Sequence, residues 1–307
     1  MKKIFTVVLI LIFLSGCQTS TDKEELRIAE QYGVAYAPLQ IMQDLGYLEK
    51  YLPDVEISWV QLGNTAAIRE AMVAGNLDIG FMAIPPFLIG YDNGMNWKII
   101  SGLSELPVGL VTYRDDINSI ADFSADDRIA LPQPGSVQDI LLAMASKKVF
   151  NDASKFNNQL VTMSHPDAYN ALLTQSEVTA HFTSDPYLTQ ELSQTGFHEI
   201  LSGKEAIGGE YTFIIGAASE SLYANENLYE GFKTALIAAI TYINDNPQEA
   251  SELLAANYDL SVDETYSLIT NGKYTTDVKG LAEFMEFMYD EDYISQTYIE
   301  KDLFWQD

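Results

Sequence analysis

An uncharged apolar run, IFTVVLILIFL at residues 4–14, opens the chain directly behind Lys2 and Lys3. It falls well short of the roughly 20 apolar residues a membrane-spanning helix needs and has the length of a secretory signal core. From residue 26 onward the pattern changes. Short runs rich in β-branched and aliphatic residues, LRIAE (26–30), VEISWVQ (55–61) and LDIGFM (77–82), are separated by stretches of helical period at 38–51 and 64–74. The order is βαβαβ. WKIISGL (97–103) and VGLVTYR (108–114) read as further strands of the same sheet. A second series then begins: DRIALP (127–132), a helix at 136–150, QLVTMS (159–164), a helix at 166–175 and VTAHFTS (178–184). Strands alternating with helices in this way predict parallel sheets covered on both faces.

The two series share a layout. Residues 62–88 and 163–188 each run from a strand end through a small polar turn and a short helix into a strand and a proline-led helix start. Two α/β domains of one design explain this most simply. After YTFIIGA (211–217) the chain turns helical, with candidate helices at 225–244, 247–256, 261–271 and 277–290. These helices need an apolar surface to cover. If strand 211–217 returns to the first sheet, they wrap the first lobe and two connections join the lobes across a hinged cleft. The expected division is a signal peptide at 1–16, a tether at 17–25, a first lobe built from 26–112 plus 212–307, and a second lobe at 113–211.

Composition narrows the class. The 307 residues are 47% hydrophobic, enough for real cores, and carry a formal net charge of -27 with only 17 Lys plus Arg. Such a balance repels phosphate backbones and excludes nucleic acid as a partner. The single cysteine, Cys17, has no second thiol to pair with and stands behind small Ser15 and Gly16. Leu-Ser-Gly-Cys at 14–17 resembles the bacterial lipobox, which implies cleavage before Cys17 and acylation of its sulfur. The polar stretch QTSTDKEE (18–25) is then a flexible tether. The expected location is extracytoplasmic, lipid-anchored to a bacterial cell membrane.

Enzyme signatures are missing: there is no GxGxxG, Walker loop, HExxH or GxSxG. His165, His181 and His198 each stand alone in their segments. His165, Asp167, His181 and Asp185 lie near predicted strand ends but match no ligand spacing, so no catalytic residue, cofactor or metal is expected. Open α/β sheets bind ligands in the loops at the carboxyl ends of their strands. Those loops hold Tyr32, Tyr36, Asn64, Thr65 and Pro85 in the first domain, and Gly135, Ser136, His165, Asp185 and Tyr187 in the second. Asn64-Thr65 and Gly135-Ser136 sit at predicted helix starts, where backbone N–H groups and the helix dipole hold an oxygen-rich group without a basic side chain. The same residue types also act as plain N-caps. Tyr32, Tyr36 and Tyr187 offer aromatic faces from both sides of a cleft.

Four segments, YGVAYAPLQIMQDLGYLEK (32–50), AAIREAMVAGNLDIGFMAIPP (66–86), RIALPQPGSVQDILLAMA (128–145) and AYNALLTQSEVTAHFTSDPYL (168–188), resemble in that order the solute-binding proteins of the nitrate, taurine and aliphatic-sulfonate type of ABC importer. The resemblance runs from about residue 26 to 247. It implies a type II periplasmic-binding-protein fold: two doubly wound α/β lobes joined by a two-strand hinge, with the C-terminal helices on the first lobe. It also implies a monomer that closes on a small-molecule solute and delivers it to an ABC permease driven by an ATPase. Carried over by position, the contacting residues include Tyr32, Tyr36, Asn64, Thr65, Pro85, Gly135, Ser136 and Asp185. Some members bind pyrimidine precursors of thiamine, and type II folds also host enzymes and ligand-sensing subunits.

The residues pull the solute class in two directions. Helix starts favour an anion of the sulfonate kind. The tyrosines and Asp185, with no Arg or Lys in these loops, favour a small organic solute with an aromatic or amide-bearing ring, because an anion beside an unpaired carboxylate is costly to desolvate. The balance leans to the ring if Asp185 faces the pocket, and returns to the sulfonate if Asp185 caps the helix begun by Pro186. For the anchor, Cys17→Ser should abolish incorporation of a clickable fatty acid and block processing before residue 17, whereas wild type is labelled. Stable attachment further requires more than one acyl chain.

Overall fold

The computed structural model describes residues 24–305; Cys17, the signal run and most of the tether lie outside them. The first stretch comprises β1 (Glu24–Glu30), α1 (Ala37–Asp44), α2 (Tyr47–Tyr51), β2 (Val55–Gln61), α3 (Thr65–Val73), β3 (Ile79–Ala83), α4 (Ile84–Asp92) and β4 (Trp97–Glu105). The middle holds β5 (Val108–Thr112), β6 (Ile129–Leu131), α5 (Val137–Phe150), β7 (Leu160–Thr162), α6 (His165–Leu173), β8 (Ala180–Ser184), α7 (Tyr187–Leu192), β9 (His198–Ser202) and α8 (Gly203–Ile207). The remainder is β10 (Ile214–Ser219), α9 (Glu220–Ala224), α10 (Glu226–Asp245), α11 (Pro247–Tyr258), α12 (Val262–Thr270), β11 (Lys273–Tyr274) and α13 (Leu281–Asp290). Because Glu24 and Glu25 already pair with Val55 and Glu56, the tether ends before them, two residues earlier than expected.

Two sheets result. The first has the order β11-β4-β10-β3-β1-β2 and the second β7-β6-β8-β5-β9. Strands β3, β5 and β8 are buried along their whole length, as strands with both faces covered must be. The sheets are mixed rather than wholly parallel. β10 runs antiparallel to β3 and β4, and β5 runs antiparallel to β8 and β9.

The placing of β5 corrects the sequence reading and its lobe boundary at residues 112 and 113. Strand 108–112 belongs to the second sheet, so the first crossing falls at Leu106 and Pro107. Its residues are buried on both faces, a pattern that fits the inside of either sheet equally well. No helix intervenes between β4 and β5, so the chain passes straight from one sheet into the other, where β5 runs antiparallel to β8 and β9. The second crossing lies between α8 and β10, and β10 returns to the first sheet.

The single helix expected at 38–51 is two, because Gly46 takes the left-handed conformation at φ 61° between them. α10 lies over α1 and α2, and α11 over α1. α13 does not stay on the first lobe: it packs on α4 and also on α5 of the second, where Lys147 and Glu291 form an ion pair at 2.8 Å. The first core brings Phe81 of β3 against Phe232 of α10, with ring centroids 6.3 Å apart.

Gly102 of β4 donates its N–H to the Thr276 carbonyl at 2.8 Å, and a Cβ there would overlap the Asp277 carbonyl. Rigid backbone rather than a flexible side chain is the obstacle. Gly102→Ala should therefore lower unfolding free energy by about 1–3 kcal/mol, read as a reduced urea midpoint at unchanged slope.

Candidate functional site

A cavity of about 460 Å³ opens between the sheets, lined from both. β1 leads into Gln31, Tyr32 and Tyr36; β2 into Gly63, Asn64 and Thr65; β3 into Ala83 and Pro86. Across the gap β6 leads into Pro132, Gln133 and Ser136, β7 into Met163, Ser164 and His165, and β8 ends at Ser184. These are the carboxyl ends of the strands, as an open α/β sheet requires. Among the described residues lining the cavity, none is Lys or Arg and Asp167 is the one carboxylate.

Three helices begin at the cavity. Asn64 caps α3, its Oδ1 accepting from Ala67 N at 3.0 Å. Buried Thr65 follows, and Gln31 Nε2 donates to its Oγ1 at 3.1 Å. Ser136 caps α5 by accepting from Asp139 N at 3.3 Å, and Ser164 caps α6 by accepting from Asp167 N at 3.4 Å. The capping side chains are spent on one amide each, which leaves other first-turn N–H groups free to meet an acceptor.

Six of the ten expected side chains, Tyr32, Tyr36, Asn64, Thr65, Ser136 and His165, line this cavity together. Four do not. Pro86 takes the place expected of Pro85. Gly135, at φ 75°, makes the turn before α5 and donates its N–H to Asp139 Oδ2 at 2.7 Å. Tyr187 is outside the lining and stacks on His165, their ring centroids 6.0 Å apart. Asp185 is 2% exposed, and its Oδ1 accepts from Thr189 N at 3.1 Å and from Thr189 Oγ1 at 2.7 Å, so it holds the first turn of α7. Burial pushes its carboxyl up from the ordinary range, against the pull of the Thr189 bonds. Asp185 thus stands outside the cavity lining and is not the acceptor expected for a ring-bearing solute.

Sequence reasoning missed what stands behind His165. Its Nδ1 meets His181 Nε2 at 3.0 Å, and His181 Nδ1 meets Glu191 Oε1 at 2.6 Å. His165 Nε2 lies 3.3 Å from the Gln138 amide nitrogen at the cavity wall. His181 and Glu191 are fully buried. Burial holds both imidazoles down at about 3, the His165 ring also by its neighbour, and raises Glu191 to about 9. The His181–Glu191 contact is therefore one between uncharged groups near neutral pH. A helical residue ten positions past a strand histidine carries no pattern by which sequence reasoning finds the pair. Among the described residues no group of three or more His, Cys, Asp and Glu is placed to hold a metal ion.

Two mixed α/β lobes with a cavity between their strand ends form the periplasmic-binding-protein fold, the fold the sequence resemblance implied. The chain belongs to the NMT1-like family, which matches residues 20–257, and residues 1–18 match the prokaryotic membrane lipoprotein lipid attachment site. It is thus an extracytoplasmic, membrane-anchored protein. An aliphatic sulfonates-binding protein of Escherichia coli is 28% identical over 188 residues, spanning 60% of this chain and 57% of the relative, so the match covers little over half of that protein's length. Two solved structures share the fold. The alkanesulfonate-binding protein of Xanthomonas axonopodis pv. citri bound to MOPS has a TM-score of 0.76 at 18% identity, covering 92% of this chain and 98% of that one. The periplasmic aliphatic sulphonate binding protein of Escherichia coli has a TM-score of 0.73 at 21% identity, covering 92% of both chains.

Removing the Asp185 carboxylate tests its placement. Asp185→Ala should cost about 1 kcal/mol, the usual loss on deleting a side chain that accepts from a helix's first-turn amide, measured by urea unfolding. Solute affinity should stay within a factor of about two, because the side chain lies outside the cavity.

Proposed function

We propose that this protein captures a small oxyanionic organic solute, of the alkanesulfonate kind, by closing its lobes on it and handing it to an ABC permease and ATPase. The observation that carries this reading is the meeting of three helix starts, at Asn64-Thr65, Ser136 and Ser164-His165, on one cavity without a basic side chain. Helix-terminus amides contribute about 0.3–1 kcal/mol each when exposed and up to ~2 when partly buried. Three together hold an anion that no Lys or Arg is present to pair. Asp167, the carboxylate nearby, bonds Ser164 Oγ at 2.5 Å, which engages it within its own turn. The sulfonate-binding relatives support the same class. Tyr32, 55% exposed at the cavity, suits an organic tail lying against its ring. The protein then acts by binding alone and returns its solute unchanged.

A thermal-shift panel of alkanesulfonates, taurine, nitrate, pyrimidines and flavins tests this. Alkanesulfonates should stabilise the fold by about 2.7 kcal/mol at a hundredfold excess over the dissociation constant, with the solute recovered intact by mass spectrometry. Stabilisation by pyrimidines or flavins alone, or conversion of the solute, would overturn the reading.

A further inference from the structure

The Glu191–His181–His165 chain starts in the core and ends at the cavity, and capping, packing and the helix starts leave it unexplained. Glu191 and His181 are fully buried, and among the described residues Glu191 Oε2 has no hydrogen-bond partner. No Lys or Arg pairs with Glu191 in the described ion pairs. A buried carboxylate with one bare oxygen and no cation is expensive, whereas the carboxylic acid needs only one acceptor. His181 Nδ1, 2.6 Å from Oε1, is that acceptor.

The proton on Glu191 sets every later one. If Glu191 O–H donates to His181 Nδ1, His181 must carry its own proton on Nε2 and donate to His165 Nδ1, 3.0 Å away. Thr183 Oγ1 lies 3.3 Å from the same Nδ1 and donates its own proton to the Ser184 carbonyl at 3.4 Å. His165 then carries its proton on Nε2, beside Gln138 at the cavity. An ionised Glu191 reverses the chain and leaves Nε2 as a bare acceptor, which repels an oxyanion.

We propose that Glu191 is a protonated positioning residue that, through His181, fixes His165 as a neutral Nε2–H donor to a solute oxygen in the cavity. This rests on the oxyanion reading above. The Gln138 amide nitrogen stands 3.3 Å from this Nε2; the proposed tautomer requires that amide turned by a half-turn, with its oxygen accepting from Nε2–H. The cavity thereby gains a directed donor without burying a charge. The elements around the chain bring other titratable groups: Asp139 on α5, Asp167 and Tyr169 on α6, Asp185 and Tyr187 at the start of α7, and His198 and Glu199 on β9. Tyr187, Asp185 and Glu199 are all shifted towards their neutral forms by burial.

Two measurements decide it. Nitrogen-15 spectra of the solute-free protein near neutral pH should show His165 with a bare Nδ1 and a protonated Nε2; the opposite tautomer overturns the proposal whatever the solute is. Calorimetric titration with butanesulfonate, whose own charge is fixed across this range, should give an affinity flat near neutral pH and weaker by about tenfold once Glu191 ionises. The sign follows from the raised carboxyl: the donor is present below about 9 and lost as pH rises through it. Glu191→Gln has no proton to lose and should abolish the alkaline fall, while Tyr187 and the other neighbours still titrate. A fall that persists in Glu191→Gln, or a wild-type affinity that never falls, overturns the proposal. Failure of butanesulfonate to bind wild type at neutral pH would sink the oxyanion reading instead, and with it the role of His165 as a solute donor.

Discussion

Each sheet is completed by a strand that arrives directly from the other lobe, and the site depends on that exchange. β5 enters between β8 and β9 after a two-residue link from β4, and β10 enters between β3 and β4 after the return crossing. The crossings are bonded to each other as well as to their sheets. Phe213 N donates to Ser104 O at 2.8 Å, Thr212 N to Lys279 O at 3.0 Å, and Lys279 Nζ lies 3.0 Å from Glu105. With both connections fixed, the carboxyl ends of the two sets of parallel strands face one gap. Rotation about so few residues is how two-lobed binding proteins close. The Lys147–Glu291 pair also spans the lobes, but both side chains are partly exposed, and pairs of this kind contribute at most about 1 kcal/mol. It steadies the arrangement without locking it.

The electrostatics of the cavity invert those of the whole molecule. A chain with net charge -27 repels anions at long range, yet the gap between its lobes is lined by helix-start amides, hydroxyls, tyrosine rings, an imidazole and a single carboxylate, Asp167. Fixed dipoles suit a low-dielectric cleft, since they need no counter-ion when the site is empty. A buried Arg would need a partner in the unliganded state, and Asp167, the nearest carboxylate, is already engaged by Ser164. The neutral chain from Glu191 to His165 follows the same logic, adding direction to a donor without adding charge.

The last helices have a role beyond covering apolar surface. α10 and α11 close the first lobe over α1, whereas α13 reaches from α4 to α5. Tyr274, in the short strand before α13, donates its hydroxyl to the Val34 carbonyl at 2.9 Å. Val34 lies between Tyr32 and Tyr36, so the C-terminal region braces the first cavity loop from behind.

The alternation of strands and helices, the two similar series, the anchor at Cys17 and six cavity residues followed from the sequence by itself, because period, capping residues and strand-end loops are local properties. Asn64, Thr65 and Ser136 were legible for that reason. What the sequence left open depended on partners distant in the chain. Five apolar residues at 108–112 fit the interior of either sheet, and only the pairing of Val108 with Ser184 assigned them to the second. Asp185 had the composition of a cleft acceptor, and only the position of Thr189 one turn later engaged it within the start of α7. The lone histidines at 165 and 181 became a chain once α6, β8 and α7 stacked, since side chains ten and sixteen residues apart meet only when tertiary packing removes water from between them.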